Sequence, residues 1–318
     1  MSAVANVERK PVSKIVIPHD DLLGIEQLQE GEIYAILDLA EYYVVQNRRK
    51  SQTAALLKGM VMMNVFLENS TRTRLSFEMA AKRLGAEVIN MAVEGSSIKK
   101  GETFTDTLKT INAMLPDIMV IRHAEEGSAH LAASLMDCPV LNAGDGRREH
   151  PTQALLDALT LRRRFGKLQG LKVVICGDIL NSRVAHSNTH LLRKVGADVS
   201  FVSPPELTPT GLSGVTPDIE TGLRDADAIM VLRIQKERLQ EKLSFTQEEY
   251  FKTYGLTPER MAFAKKDAVI MHPGPMNRGV EIDAVIADDP TRSLITQQVE
   301  MGVAVRMACL DLLTRKRR

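Results

Sequence analysis

Residues 66–88 read FLENSTRTRLSFEMAAKRLGAEV, so Ser70, Thr71, Arg72, Thr73 and Arg74 fill five consecutive positions between an apolar run and a helical pattern. Hydroxyls and unpaired backbone N–H groups at a helix start face the positive end of the helix dipole and form a receptacle for an anion. A guanidinium there can hold two phosphate oxygens at once. The competing reading is a capped surface helix, with Ser70 as N-cap and solvated arginines. What other strand ends contribute separates the two.

Three such ends follow one another. DIMVIRH finishes on Arg122 and His123, and NAGDGRREHPTQALLD brings His150 to a loop end ahead of Pro151 and Gln153. Pro151 at a first helical position fixes the entry of the chain, so His150 and Gln153 project towards the strand ends. A lone arginine or histidine is usually structural, but Arg, His and hydroxyl groups delivered to one rim favour a binding site. The second half repeats the pattern. CGDILNSRVAHSN offers Arg183 at a helix start, and MVLRIQKER offers Arg233, Gln235, Lys236 and Arg238 after a strand. Arg183, Arg233 and Gln235 suit a ligand carrying carboxylates, while RIQKER as a plain solvated helix start is the alternative. MHPGPMNRGVEID supplies a proline-held loop whose carbonyls are free to accept from an amine. The Ser/Gly-rich stretch 94–103, EGSSIKKGET, reads as a flexible loop with Lys99 and Lys100; LRRRF (161–165) and the RKRR tail read as solvated faces.

These groups need a scaffold that aligns strand ends. Apolar runs at 60–68, 86–91, 117–122 and 139–144 alternate with helical patterns at 70–84, after the 94–101 loop, and at 127–136, the signature of βαβ units in a parallel sheet covered on both faces. After a long helix at 151–165 the alternation restarts, with strands at 171–178, 197–204, 227–233 and 267–273, a helix over 182–195, a polar helix-prone region at 240–262 and a last helix over 291–313 spaced by Leu294, Val299, Val303, Met307 and Leu310. In the helix over 70–84, Leu75, Phe77, Met79, Ala81 and Leu84 form a broad apolar stripe. The expected architecture is α/β, two doubly wound parallel-sheet domains of similar size. Ligands in such sheets bind beyond the carboxyl ends of the strands.

At 318 residues, two domains are expected. Lys+Arg of 41 against Asp+Glu of 40 leaves no field to draw nucleic acid or a membrane, and 4% aromatic content without tryptophan offers no stacking platform. Cys138, Cys176 and Cys309 show no metal-binding spacing and no disulfide pattern, so a reducing compartment is expected. With no apolar run near ~18 residues and no signal-like start, a cytoplasmic location is expected. A phosphate loop of the GxxxxGK[ST] type, a GxGxxG fingerprint, a nucleophile motif and a metal set are all missing, so no cofactor or metal is expected. The simplest chemistry is direct transfer between two bound small molecules, where proximity alone contributes ~7–11 kcal/mol and fixed donors stabilise the oxyanion.

FLENSTRTRLSFE, KKGETFTDT, IRHAEEG, NAGDGRREHPTQALLD, GDILNSRVAHS, LRIQKER and MHPGPMNRGVEI, in this order from about residue 50 to the C-terminus, closely resemble the aspartate carbamoyltransferase family. STRTR and HPTQ are common to transcarbamoylases; RIQKER with HPGPMNRG belongs to the aspartate branch. The resemblance implies transfer of the carbamoyl group of carbamoyl phosphate to L-aspartate, in pyrimidine synthesis, without a covalent enzyme intermediate. It implies a carbamoyl-phosphate domain at 1–150, completed by the C-terminal helix 291–318 packing back on it, and an aspartate domain at 151–290. By matched position, Ser70, Thr71, Arg72 and Thr73 hold the phosphate; Thr73, Arg122 and His150 polarise the carbamoyl oxygen; Gln153 meets the carbamoyl nitrogen. Arg183, Arg233 and Gln235 grip the aspartate carboxylates, and the carbonyls of Gly274 and Pro275 face the reacting groups. Ser96 and Lys100 reach in from a neighbouring subunit, which implies a homotrimer with shared sites. Regulatory chains or dihydroorotase are possible further partners. His150 is expected to act as a neutral donor because Arg122 disfavours a second charge beside it, and Glu68 to pair with Arg183 and Arg238 as the domains close. The first ~18 residues match nothing in the family and read as a flexible arm. Ornithine carbamoyltransferase is the nearest alternative, though it would carry HCLP and an acidic segment for a cationic substrate; a non-catalytic homologue would have lost STRTR, His150 or Lys100.

Overall fold

The computed structural model describes residues 17–49, 55–92, 101–234 and 245–318. Two parallel sheets organise the chain. The first holds β1 (Val61–Phe66), β2 (Glu87–Ala92), β3 (Ile118–His123) and β4 (Val140–Asp145) in the order β2-β1-β3-β4. The second holds β5 (Lys172–Cys176), β6 (Asp198–Val202), β7 (Val215–Thr216), β8 (Ala228–Val231) and β9 (Val269–Met271) in the order β7-β6-β5-β8-β9. Every residue of β4 and of β8 is buried, as strands covered on both faces must be. The α/β architecture with two parallel sheets agrees with the alternation in the sequence. In each sheet the order reverses at a central pair, β1/β3 and β5/β8, so the loops after those strands diverge and leave a crevice.

The covering helices are α1 (Glu30–Arg48), α2 (Thr71–Leu84), α3 (Phe104–Asn112), α4 (Ser128–Leu135), α5 (Pro151–Phe165) and α6 (Arg183–Lys194). Beyond them lie α7 (Ile219–Leu223), α8 (Gln247–Tyr254), α9 (Pro258–Met261), α10 (Ala284–Ala287) and α11 (Ile295–Thr314). Local signals set their ends: Pro151 opens α5, and Gly85 and Gly166 close α2 and α5 in the left-handed region. Residues 151–161 of α5 are all buried, making it the central connector between sheets. C-terminal α11 returns to pack on α1, α2 and α5.

The structure corrects several expectations. The apolar stripe of α2 is narrower than expected: Phe77, Ala81 and Leu84 are buried, but Leu75 and Met79 are about half exposed, at 53% and 49%. Likewise Val299 on α11 is half exposed and lines the cleft instead of the core, while that helix buries Met301, Val305, Ala308 and Leu312. The arginines of LRRRF are not simply solvated. Arg162 bonds Asp38 of α1 at 2.6 Å and Arg163 bonds Glu41, which ties α5 to α1. The basic tail is also engaged, since Arg315 and Arg318 converge on Asp311, which accepts a 2.8 Å bond from the Tyr43 hydroxyl.

Candidate active site

The carboxyl ends of the two sheets face one another across a cleft of about 900 Å³. From the first sheet it is lined by residues 68–73 after β1, Arg122 at the end of β3, and His150 and Gln153 at the start of α5. The second sheet contributes Asp178 and Arg183 after β5, Arg233 after β8, and residues 272–276 after β9. Arg306 of α11 closes the floor. Six arginines line the cleft (Arg72, Arg122, Arg147, Arg183, Arg233 and Arg306) against two carboxylates, Glu68 and Asp178. Such a site favours anions, and more than one.

Ser70 occupies the N-cap position of α2 but makes no capping bond with its side chain. Its hydroxyl therefore stays available, together with the orphan N–H groups of the first turn. Thr73, nearly buried, sits one step deeper. Arg72 lies beside the 272–276 loop: a Cβ on Gly274 would stand 2.8 Å from the Arg72 Cζ, and the φ of +65° at Gly274 favours glycine there. The Gly274–Pro275 peptide is cis. Burial and the neighbouring Arg233 both lower the Arg72 pKa.

Deeper in the cleft, Glu68 accepts from Arg122 Nη2 at 3.0 Å and from Arg183 Nη2 at 2.5 and 2.6 Å, so one carboxylate joins the two sheets. The Arg122 side chain is 13% exposed. Burial, then the charge of Arg183, lowers its pKa to about 10. Gly144 makes room for both guanidiniums, since a Cβ there would lie 2.8 Å from Nη1 of each. Arg306 is buried over the Phe77 ring and donates to Ser76 Oγ at 2.8 Å, with no carboxylate partner among the described residues. Burial lowers its pKa to about 10 as well.

His150 is 3% exposed, and neither ring nitrogen has a hydrogen-bond partner among the described residues. Its backbone N–H donates to Ser187 Oγ on α6 at 2.8 Å, which fixes the loop that carries it. Burial, followed by the charges of Arg306, Arg122 and Arg183, pushes its pKa well below 6.5. The expected neutrality thus has a different leading cause: desolvation comes before Arg122. A neutral imidazole among guanidiniums can donate one hydrogen bond to a developing oxyanion.

The cleft therefore brings together Ser70, Thr71, Arg72, Thr73, Arg122, His150, Gln153, Arg183, Arg233, Gly274 and Pro275. It does not take in His123, whose ring packs on Phe104 with centroids 4.8 Å apart. Ser96, Lys100, Gln235 and Arg238 lie outside the described residues. Arg147 and Asp178, in the loops after β4 and β5, also line the cleft, though neither was singled out among the strand-end residues; Gln298 and Arg306, inside α11, lie beyond the reach of strand-end reasoning. For Arg306 a signal exists, a single charge inside the apolar run MGVAVRMACL. No group of three potential metal ligands is assembled among the described residues.

Comparison with known proteins identifies the family of the chain. Residues 20–163 match the family "Aspartate/ornithine carbamoyltransferase, carbamoyl-P binding domain", and residues 169–313 match its "Asp/Orn binding domain". The chain is 57% identical over 305 residues to the aspartate carbamoyltransferase catalytic subunit of Rhodospirillum centenum, covering 95% of this chain and 96% of that protein. It is 56% identical to that of Novosphingobium aromaticivorans, covering 98% and 94%. Among solved structures, aspartate transcarbamoylase from Trypanosoma cruzi in complex with carbamoyl phosphate and aspartate superposes with a TM-score of 0.85 at 32% identity, covering 96% of this chain and 99% of the other. Ornithine carbamoyltransferase from Pyrococcus furiosus gives 0.83 at 28%, covering 92% and 96%.

Because the fold holds His150 neutral, its imidazole signals in an NMR titration should change well below pH 6.5. The unfolded chain binds this proton first, so His150 costs the fold stability as pH falls below about 6.5. A ring midpoint at or above 6.5 would contradict the buried neutral imidazole.

Proposed function

The chain belongs to the aspartate/ornithine carbamoyltransferase family, and we propose that it transfers the carbamoyl group of carbamoyl phosphate to the amino group of L-aspartate. The products are N-carbamoyl-L-aspartate and phosphate, an early step of pyrimidine synthesis. The observation that carries this reading is the cleft itself, with a hydroxyl-rich helix start on one wall and arginines from the other sheet opposite, six guanidiniums against two carboxylates. Each substrate is an anion, and together they bring the compensating charge.

Residue roles follow from position. Ser70, Thr71, Arg72 and Thr73 receive the phosphate at the start of α2. Thr73, Arg122 and His150 surround the carbamoyl oxygen, and Gln153 the carbamoyl nitrogen. Arg183 and Arg233, with Gln235, receive the aspartate carboxylates; the Gly274 and Pro275 carbonyls accept from the amine. The aspartate nitrogen attacks the carbamoyl carbon, the carbonyl electrons move onto oxygen and are stabilised by Arg122 and neutral His150, and the C–O bond to phosphate then breaks. The amine loses a proton and phosphate leaves with the bonding pair. No side chain needs to become covalently attached, since alignment of the two substrates supplies most of the acceleration. The carbamoyl-phosphate domain comprises residues 1–150 with the helix at 291–318, the aspartate domain 151–290. Glu68 bridges Arg122 and Arg183 between the sheets, a contact suited to holding the domains closed, with Arg238 as a further partner.

A homotrimer with Ser96 and Lys100 supplied by a neighbouring subunit completes this reading. Exposed Leu75, Met79 and Ile89, the last on edge strand β2, offer apolar surface for such an assembly. Regulatory chains or dihydroorotase would be additional partners, and a cytoplasmic setting accords with three buried free cysteines.

Two experiments test these readings. Supplied with carbamoyl phosphate and either L-aspartate or L-ornithine, the protein should carbamoylate aspartate; carbamoylation of ornithine alone, or of neither, would overturn the assignment. For the shared site, inactive Arg72→Ala and Lys100→Ala proteins are mixed and allowed to exchange subunits. Recovered activity is expected, and continued inactivity after demonstrated exchange would refute sites built from two chains.

A further inference from the structure

Beneath the cleft lies a carboxylate with no place in the scheme above. Asp157, on the second turn of α5 after His150, is fully buried. Its Oδ1 accepts from Gln153 Nε2 at 3.0 Å and from Gln298 Nε2 at 2.7 Å, and its Oδ2 accepts from Asn188 Nδ2 at 2.8 Å. The donors stand on α5, α11 and α6, so the carboxylate is the meeting point of three helices. No arginine or lysine makes an ion pair with it among the described residues, and burial lifts its pKa to about 6.

An ionised carboxylate only accepts hydrogen bonds, so each amide that meets it must present its nitrogen. For Gln153 the consequence is direct. Asp157 is the one hydrogen-bond partner of its side chain among the described residues, so with Nε2 turned inward the oxygen is the end left for the cleft that Gln153 lines. Gln298 is oriented in the same way: its Oε1 accepts the His272 N–H at 2.9 Å, at the root of the 272–276 loop. A single acceptor thus sets two amides, one in the α5 wall and one supporting the facing loop.

We propose that Asp157 is a positioning residue for carbamoyl-group recognition, holding Gln153 so that its oxygen accepts from the NH₂ of the carbamoyl group. This rests on the reading that Gln153 meets the carbamoyl nitrogen. It explains why a carboxylate stands in the mostly apolar stretch ALLDALTL despite the cost of desolvation. It also makes Asp157 a determinant of which acyl phosphate is accepted. Acetyl phosphate carries a methyl group where carbamoyl phosphate carries NH₂, and gains nothing from an oriented acceptor.

The test compares binding of carbamoyl phosphate and acetyl phosphate, the latter as a competitor, in the wild type and in Asp157→Ala, Asp157→Asn and Gln153→Ala. Asp157→Ala should weaken carbamoyl phosphate by about 5–10-fold, the worth of one oriented hydrogen bond, and leave acetyl phosphate within about twofold of the wild type. Asp157→Asn should restore the preference, because the substituted amide can keep its oxygen towards Gln153 and Gln298. Its nitrogen then turns to Asn188, whose own buried oxygen has no partner among the described residues. Equal weakening of both ligands in Asp157→Ala would mean a purely structural residue and overturn the proposal, as would an unchanged preference. If Asp157→Ala does not fold, Asp157→Ser carries the same expectation; failure of both to fold while Gln153→Ala folds also overturns it. Should Gln153→Ala keep the full preference for carbamoyl phosphate, the role of Gln153 itself fails. Loss in Gln153→Ala without loss in Asp157→Ala removes only the positioning role of Asp157.

Discussion

Arg122 and Arg183 come from different sheets and lean on the same carboxylate, Glu68. Everything else in the cleft is arranged around that shared contact. Two guanidiniums in a half-buried site repel one another; at 4 Å and an effective dielectric near 20, one such pair would cost about 4 kcal/mol. Glu68 offsets this, and Gly144 leaves the space in which the two groups can meet. The surplus of arginine remains large, with Arg72, Arg233 and Arg306 lacking a carboxylate partner among the described residues. A fold that assembles so much uncompensated positive charge is organised for ligands that bring negative charge with them.

Burial first, and this surplus after it, set the protonation state of the one histidine carried at the start of α5. His150 is denied water by α5 and the loop before it, and its neighbours are cations, so both forces act against the imidazolium. Its ring is left as a neutral donor, with neither nitrogen engaged among the described residues. Two carboxylates are placed where they orient other groups: Glu68 holds arginines, and Asp157 holds amides. Transfer between two bound molecules in such a cleft relies on alignment and fixed charge.

Much of this was legible in the sequence because it lies at strand ends. The apolar runs and the polar residues that follow them locate the rim, so Ser70, Arg72, Arg122, His150, Arg183 and Arg233 could be named together. Two kinds of residue escaped. Helix α1 did not figure among the expected elements, although Gln29 and Glu32 form a capping box at its start and it packs on α11 and α5. Arg306 and Asp157 each stand out as a single charge in an apolar run of a core helix, but packing is what reveals that these charges reach the cleft or its supports. The outward turn of Leu75 and Met79 had a similar origin. Hydrophobic spacing gives the width of a stripe but not which part another element covers.

The claim that Glu68 couples the two sheets into one working site is tested most directly by Glu68→Gln. Carbamoyl phosphate affinity and the L-aspartate concentration for half-maximal rate would both be measured, with aspartate turnover. Loss of the shared charge leaves Arg122 and Arg183 unpaired and should raise the aspartate requirement at least about tenfold, with carbamoyl phosphate binding altered only by about threefold or less. An aspartate requirement and turnover equal to those of the wild type would contradict it.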